Sequence, residues 1–209
     1  MPAVAQFPLQ SVLLPGMVLG LNVFEPRYLA LLDDVSKEDN RFGVVMITRG
    51  SEVGGADQRA EVGTLAEVLR REPAGDNRWL VEANGTERFK VIQWLEDRPY
   101  PRAEIEPWTQ ILGPDGQTAL ADAALRFRSF LALASELGAD VSQLGGEDAL
   151  NEMEDAGIDG LYQMAVVTPI STYDQYQILS APSGELAAGA YSDAVDGVLE
   201  VLRHRLAGN

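Results

Sequence analysis

The spacing of apolar residues changes once along the chain, near Leu112/Gly113, and this change limits the fold more than any other feature of the 209 residues. Before it, short β-like runs follow one another: Met17–Phe24, Phe42–Thr48, Glu61–Arg71, Arg78–Ala83, Thr86–Leu95 and Arg102–Trp108, separated by Gly, Pro, Asp and Asn. After it, apolar residues recur at helical spacing, first as Leu120, Ala124, Phe127, Leu131, Ala134 and Leu137, closed by Gly138. An α+β chain is expected, with a sheet or barrel domain over 1–112 and a helical bundle over 113–209.

One helix is expected inside the sheet part, because Tyr28, Leu31, Leu32 and Val35 follow Pro26 at helical spacing and proline suits a first helical position. Asn84-Gly85, between two β-rich runs, predicts a hairpin with a type I′ turn, since both residues tolerate positive φ. In the helical part, Asp140 to Glu154 reads as an acidic, Gly-containing loop with a short helix, and Ile158 to Thr168 as a buried helix stopped by Pro169. Thr172-Tyr-Asp-Gln175 has capping-box spacing. Ser183 is placed to cap a final long helix whose Ala187, Tyr191, Val195, Val198, Leu202 and Leu206 share a face.

Charge narrows the classes of function. Asp and Glu number 32 against 16 Lys and Arg, a net charge of −16. The segment 1–112 holds 17 acids and 12 bases, the remainder 15 acids and 4 bases. Nucleic acid and anionic membranes are bound through clustered Lys and Arg, so neither is expected as a partner. There is no cysteine, hence no disulfide, thiolate nucleophile or Cys-based zinc site. An N-terminus without an early Lys or Arg and broken by Pro2, Pro8 and Pro15 lacks the pattern of a signal peptide, and a cytoplasmic location is expected.

Catalytic constellations are scarce. His204, the one histidine, is flanked by Arg203 and Arg205 off the apolar stripe, and no G-x-S-x-G elbow presents Ser183 or Ser192 to it. Lys37 and Lys90 are the only lysines for a Ser-Lys dyad, and Gly50-Ser-Glu-Val-Gly-Gly55 lacks the lysine of a phosphate-binding loop. Glu147, Asp148, Glu152, Glu154, Asp155 and Asp159 cluster without EF-hand spacing, so a solvated acidic segment is favoured over a metal site. No metal or other cofactor is expected. Trp79, Trp94, Tyr100 and Trp108 read first as core or cross-strand residues and second as the lining of a groove.

Three segments in order, Phe7-Pro-Leu-Gln-Ser-Val-Leu-Leu-Pro-Gly-Met17, Val23-Phe-Glu-Pro-Arg-Tyr28 and Asn84-Gly-Thr-Glu-Arg-Phe-Lys-Val91, resemble signature segments of the N-terminal domain of the ATP-dependent Lon protease. Gly63-Thr64-Leu-Ala-Glu-Val68, Pro99-Tyr100-Pro-Arg-Ala-Glu104 and Gln175-Tyr-Gln-Ile-Leu179 extend the similarity, while Gly20 departs from it where that family often has proline. The resemblance implies a PUA-like β-barrel with one inserted helix followed by helices, and recognition of unfolded or partner polypeptides without the ATPase or Ser-Lys peptidase of Lon. The function expected on this basis is a protein-binding module acting as an adaptor for a protease or chaperone. Two readings of the matched residues compete. In one, Phe24, Tyr28 and Phe89 build a core and Glu25 pairs with Arg88. In the other, Pro15, Met17, Phe24 and Tyr28 border a peptide groove and Arg88 anchors a client carbonyl or carboxylate. Rival functions are a PUA-like small-ligand or RNA module and a hydrolase with a carboxylate pair.

Overall fold

The computed structural model describes residues 3–50, 57–75, 77–142 and 146–208. Most of the Gly50–Gly55 loop singled out above lies outside the described residues. The chain divides into two compact units, 1–109 and 110–209, and Gln110 to Leu112 carry no charge, so each unit keeps the charge counted above.

The first unit is a mixed six-stranded sheet with one helix. Its elements are β1 (Ala3–Leu9), β2 (Val18–Val23), α1 (Pro26–Val35), β3 (Arg41–Arg49), β4 (Gln58–Pro73), β5 (Trp79–Trp94) and β6 (Arg102–Pro107). The strands run in the order β2-β5-β4-β3-β1-β6, and β5 also pairs with β6, so the pairings from β5 through β4, β3, β1 and β6 return to β5. β1 and β3 are parallel; the other pairs are antiparallel. The 16 residues of β5 serve three neighbours: Trp79–Asn84 pair with β2, Phe89–Trp94 with β6, and β4 lies along both halves. β2 is thereby left at the end of the order, bonded among the described residues to β5 alone.

The Asn84-Gly85 hairpin is not formed; both residues lie inside β5. Gly85 is required there for close approach. A Cβ on it would stand 2.5 Å from the Leu14 carbonyl oxygen, because the segment before β2 crosses at that point, with Gly16 N–H donating to Gly85 O at 2.8 Å. The turn that does connect β4 to β5 is Ala74–Arg78, where Gly75 and Asn77 adopt φ of 99° and 54°. β1, unmarked in the alternation of the sequence, carries Pro8 past the end of its β6 pairing at Ala5. α1 starts at Pro26 and buries the four expected residues Tyr28, Leu31, Leu32 and Val35. They join Phe7, Leu19, Val23 and Phe42 in the main core, and Tyr28 stacks on Phe7 with ring centroids 4.0 Å apart.

The second unit contains α2 (Gly116–Glu136), α3 (Gly146–Asp155), α4 (Ile158–Val167), α5 (Thr172–Ser180) and α6 (Gly184–Ala207). α2 packs along α6, burying Phe127 and Leu131 on one helix and Tyr191, Val195 and Leu199 on the other. α2 ends where Gly138 takes φ of 87°. The capping box of α5 is formed one residue earlier than expected, by Ser171 and Asp174, because a carboxylate three residues after a hydroxyl closes the reciprocal pair as well as an amide does. Ser183 caps α6 through Leu186 N–H. Buried Gln110 ties the unit together: its Nε2 donates to the Ile178 and Ala181 carbonyls, each at 3.0 Å, and its Oε1 accepts from Tyr162. Two arginines on α2 carry ion pairs outward, Arg126 to Asp196 and Arg128 to Glu147 and Glu154. No helix among the described residues is long and apolar enough to cross a membrane.

Candidate functional site

Of the large apolar side chains left in solvent in the first unit, Val18, Phe24 and Leu80 lie on or beside β2, while Leu69 and Ile92 lie on β4 and β5 outside its clefts. The residues of β2 alternate, Leu19 and Val23 facing the core while Val18, Gly20 and Asn22 face out, so Val18 stands 56% exposed on the polar side. Phe24, just after the strand, is 49% exposed, and Leu80, paired to Asn22, is 50% exposed.

Two clefts lie along this strand and share Gly20, Leu21 and Asn22 as a common wall. The outer cleft, about 430 Å³, is bounded by Val18 and Leu80 and by Arg70, Glu72 and Glu82. Arg70 is paired with Glu72 at 2.6 Å, which leaves the outer cleft one negative charge, Glu82, with no ion-pair partner among the described residues. The inner cleft, about 180 Å³, is bounded by Phe7, Leu9, Phe24 and Tyr28. Burial pushes the Tyr28 phenol up to about 12, so it remains neutral at physiological pH.

The edge of β2 facing away from β5 has no pairing among the described residues. Gly85 N–H donates to Met17 O at 2.9 Å, and bonded and non-bonded pairs alternate along an antiparallel ladder. Leu19, Leu21 and Val23 therefore exchange bonds with β5. Val18, Gly20 and Asn22 turn their N–H and C=O groups to the open edge.

The structure brings together only part of the expected site. Phe24 and Tyr28 line the inner cleft together. Pro15 and Met17 precede β2 and line neither cleft, Met17 packing against the main core. Arg88 is 6% exposed on β5, donates from Nε to the Trp108 carbonyl and lies 4.1 Å from the centre of the Trp108 ring. The Glu25–Arg88 pair is not formed: Glu25 binds Arg27 at 3.1 Å, a partner two residues away whose capture orders less chain than a distant strand residue would. Val18, Gly20, Asn22, Leu80 and Glu82 were not among the expected site residues. Their signal was an apolar Val18 on the polar face of an alternating strand.

Ser183, Ser192 and His204, the serines and histidine considered for catalysis, do not converge. Ser183 is the α6 cap, Ser192 is buried, and His204 is exposed twelve residues on, about 18 Å along the same helix. Asp34 accepts from Tyr100 at 2.9 Å and from Lys37 at 3.2 Å, which holds its carboxyl below the usual range. All three tryptophans are covered by arginine: Trp79 by Arg71 at 4.0 Å, Trp94 by Arg59 at 4.9 Å, Trp108 by Arg88. Among the described residues no group of three or more His, Asp or Glu is arranged to hold a metal ion.

Comparison with known proteins agrees with this architecture. The family described as the ATP-dependent protease La (LON) substrate-binding domain matches residues 3–185. A Lon protease of Anaeromyxobacter dehalogenans is 36% identical over 97 residues, covering 46% of this chain and 12% of the relative. A LON peptidase N-terminal domain and RING finger protein of Schizosaccharomyces pombe is 31% identical over 104 residues, 44% of this chain and 21% of the relative. The chain thus corresponds to a small part of these relatives. Among solved structures, the N-terminal domain of Mycobacterium avium complex Lon protease aligns with a TM-score of 0.70 at 14% identity, covering 93% of this chain and 98% of that one. A Lon N-terminal domain protein from Xanthomonas campestris aligns with a TM-score of 0.60 at 23% identity, covering 96% and 98%.

Proposed function

The chain belongs to the LON substrate-binding domain family, and from that premise we propose that it is a non-catalytic substrate-recognition module that binds unfolded or partner polypeptides, serving as an adaptor for a protease or chaperone in the cytoplasm. The observation that carries the reading is the pair of clefts flanking β2, where Val18, Phe24 and Leu80 stay in solvent beside a strand edge with no pairing among the described residues. Large apolar side chains left exposed beside concave surface of this kind mark interaction sites. Phe24 and Tyr28 are the matched residues assigned to contact the client; Arg88 is assigned to the fold. The non-catalytic role is supported by a family match confined to the substrate-binding domain, and the exclusion of nucleic acid by the net charge of −16. Reading the sheet as a PUA-like barrel is supported by the circuit of pairings that leaves β5 and returns to it.

The test is fluorescence anisotropy of a labelled, permanently unfolded polypeptide titrated with the protein at low and high salt. Saturable binding that persists at high salt supports an apolar client site. Binding that vanishes with salt assigns the interaction to the acidic surface as a whole, and the absence of binding removes the proposal.

A further inference from the structure

We propose that the client docks as an added β-strand on the open edge of β2, with apolar side chains turned into the inner cleft and Lys or Arg turned into the outer one. The inference rests on the substrate-recognition reading above and specifies the chemistry of what is recognised.

Three observations converge on it. First, Val18, Gly20 and Asn22 present donors and acceptors at strand spacing on an edge with no partner among the described residues, the arrangement that main-chain strand addition requires. Second, residues directly opposite each other in a pair of strands share a face. Client residues facing Leu19, Leu21 and Val23 therefore point toward Phe7, Leu9, Phe24 and Tyr28, and those facing Val18, Gly20 and Asn22 point over the outer cleft. Third, Glu82 on β5 lies directly across from Gly20, so Glu82, Gly20 and the client residue form one cross-strand row. A Cβ at Gly20 would meet nothing within 4 Å. The bare position leaves a path along which a long cationic side chain from the client reaches over β2 to Glu82, its stem lying on Val18 and Leu80. The class of ligand is an extended segment with apolar residues at every second position and basic residues between them.

The experiment uses the full chain and a fluorescein-labelled peptide of alternating Leu and Lys, with two comparison peptides: the same composition in blocks, and alternating Leu and Glu. Gly20→Pro/Asn22→Pro removes two outward donors and leaves the bonds to β5 intact, since edge strands accept proline on the open side. At about fivefold per lost hydrogen bond, the double proline variant is expected to bind about 25-fold more weakly than wild type. The block and Leu/Glu peptides are expected to bind at least tenfold more weakly, and Glu82→Lys to reverse the preference between Lys and Glu. As a readout free of mutation, the amides of Val18, Gly20 and Asn22 are expected to gain hydrogen-exchange protection when the peptide is added, while those of Leu19 and Leu21 change little.

Wild-type affinity in the double proline variant, with no new protection at the three amides, overturns strand addition and leaves polypeptide binding standing. Equal binding of the Leu/Lys and Leu/Glu peptides overturns the basic specificity. A concentration-dependent dimer of the wild type that the proline pair abolishes assigns the edge to a second copy instead. Failure of the wild type to bind every peptide and the unfolded polypeptide alike overturns both readings.

Discussion

Replacing Arg88 by alanine separates the two roles that its position in the sequence allowed. The side chain is 6% exposed; it donates from Nε to the Trp108 carbonyl, and its guanidinium lies 4.1 Å from the indole centre. The backbones are tied as well, Trp108 N–H donating to Arg88 O at 3.1 Å. Alanine removes a hydrogen bond from a charged donor, about 1.5–3 kcal/mol, and a largely desolvated cation–π contact, about 0.5–2 kcal/mol. Releasing a buried charge offsets part of this, so a net loss of about 2–4 kcal/mol is expected. At ~4–8 °C per kcal/mol for a unit of this size, the melting temperature falls by about 10–30 °C. All three tryptophans lie in the first unit, so intrinsic fluorescence follows its unfolding without contribution from the helices. Client affinity, measured where the variant is still folded, is expected to stay within about twofold, a small fraction of the tenfold that 1.4 kcal/mol represents. A melting temperature within a few degrees of wild type, or a folded variant that loses the client, refutes the structural assignment.

Gly63→Ala is expected to cost about 1–3 kcal/mol or more, read from the urea midpoint by tryptophan fluorescence, since the new Cβ would meet the Val44 carbonyl and stand 2.7 Å from Phe89 Cζ. Gln110→Leu removes three hydrogen bonds made by one buried side chain, at about 1 kcal/mol each, and is expected to lower the unfolding midpoint of the helical unit followed by circular dichroism. Burial pushes both Tyr28 and Tyr100 up to about 12. The folded state thus favours the neutral phenol, and this stability is fully present below pH about 10 and lost as pH rises toward 12. Urea midpoints should decline across that window, less steeply in Tyr28→Phe, and a wild-type midpoint constant to pH 12 contradicts the assignment. The hydrogen bonds from Tyr100 and Lys37 hold the Asp34 carboxyl low, so its contribution is present above pH about 4 and fades as pH falls below it; Asp34→Asn should flatten that limb.

Local chemistry was legible wherever it decides local structure. Pro26 opens α1, Gly138 ends α2 and Ser183 caps α6 because each meets a backbone requirement within a few residues of itself. Asn84-Gly85 shows the limit of that logic. The dipeptide tolerates a type I′ turn, but Gly85 is also the place where the Leu13–Leu14 backbone passes over β5, a demand set by residues some seventy positions away. The Glu25–Arg88 pair failed for a related reason: opposite charges in two segments give no indication that Arg27 and the Trp108 carbonyl stand closer. Phe24 and Tyr28, singled out through resemblance, line one cleft together. The open edge of β2 was not legible, because which strand ends a sheet is a property of the pairing order.

An edge strand without charge or proline is ordinarily a hazard, since it offers its hydrogen-bonding groups to any strand, including those of another copy. β2, Val-Leu-Gly-Leu-Asn-Val, carries neither safeguard. The net charge of −16 acts on a second copy mainly during encounter. If two β2 edges paired antiparallel, the two Glu82 backbones would be three strand spacings apart, about 14 Å. That exceeds the ~8 Å over which exposed charges act at physiological ionic strength, so repulsion within such a dimer would be weak. A client strand stands nearer: its backbone lies two spacings from Glu82, about 10 Å, a gap that Lys or Arg spans over the bare Gly20. Charge therefore delays self-pairing but rewards a basic client in the docked state. Salt acts on the two processes in opposite directions, easing the encounter of like-charged copies while weakening the contact to Glu82. Selection of client over copy at this edge depends on the chain remaining acidic and on Gly20 remaining without a side chain.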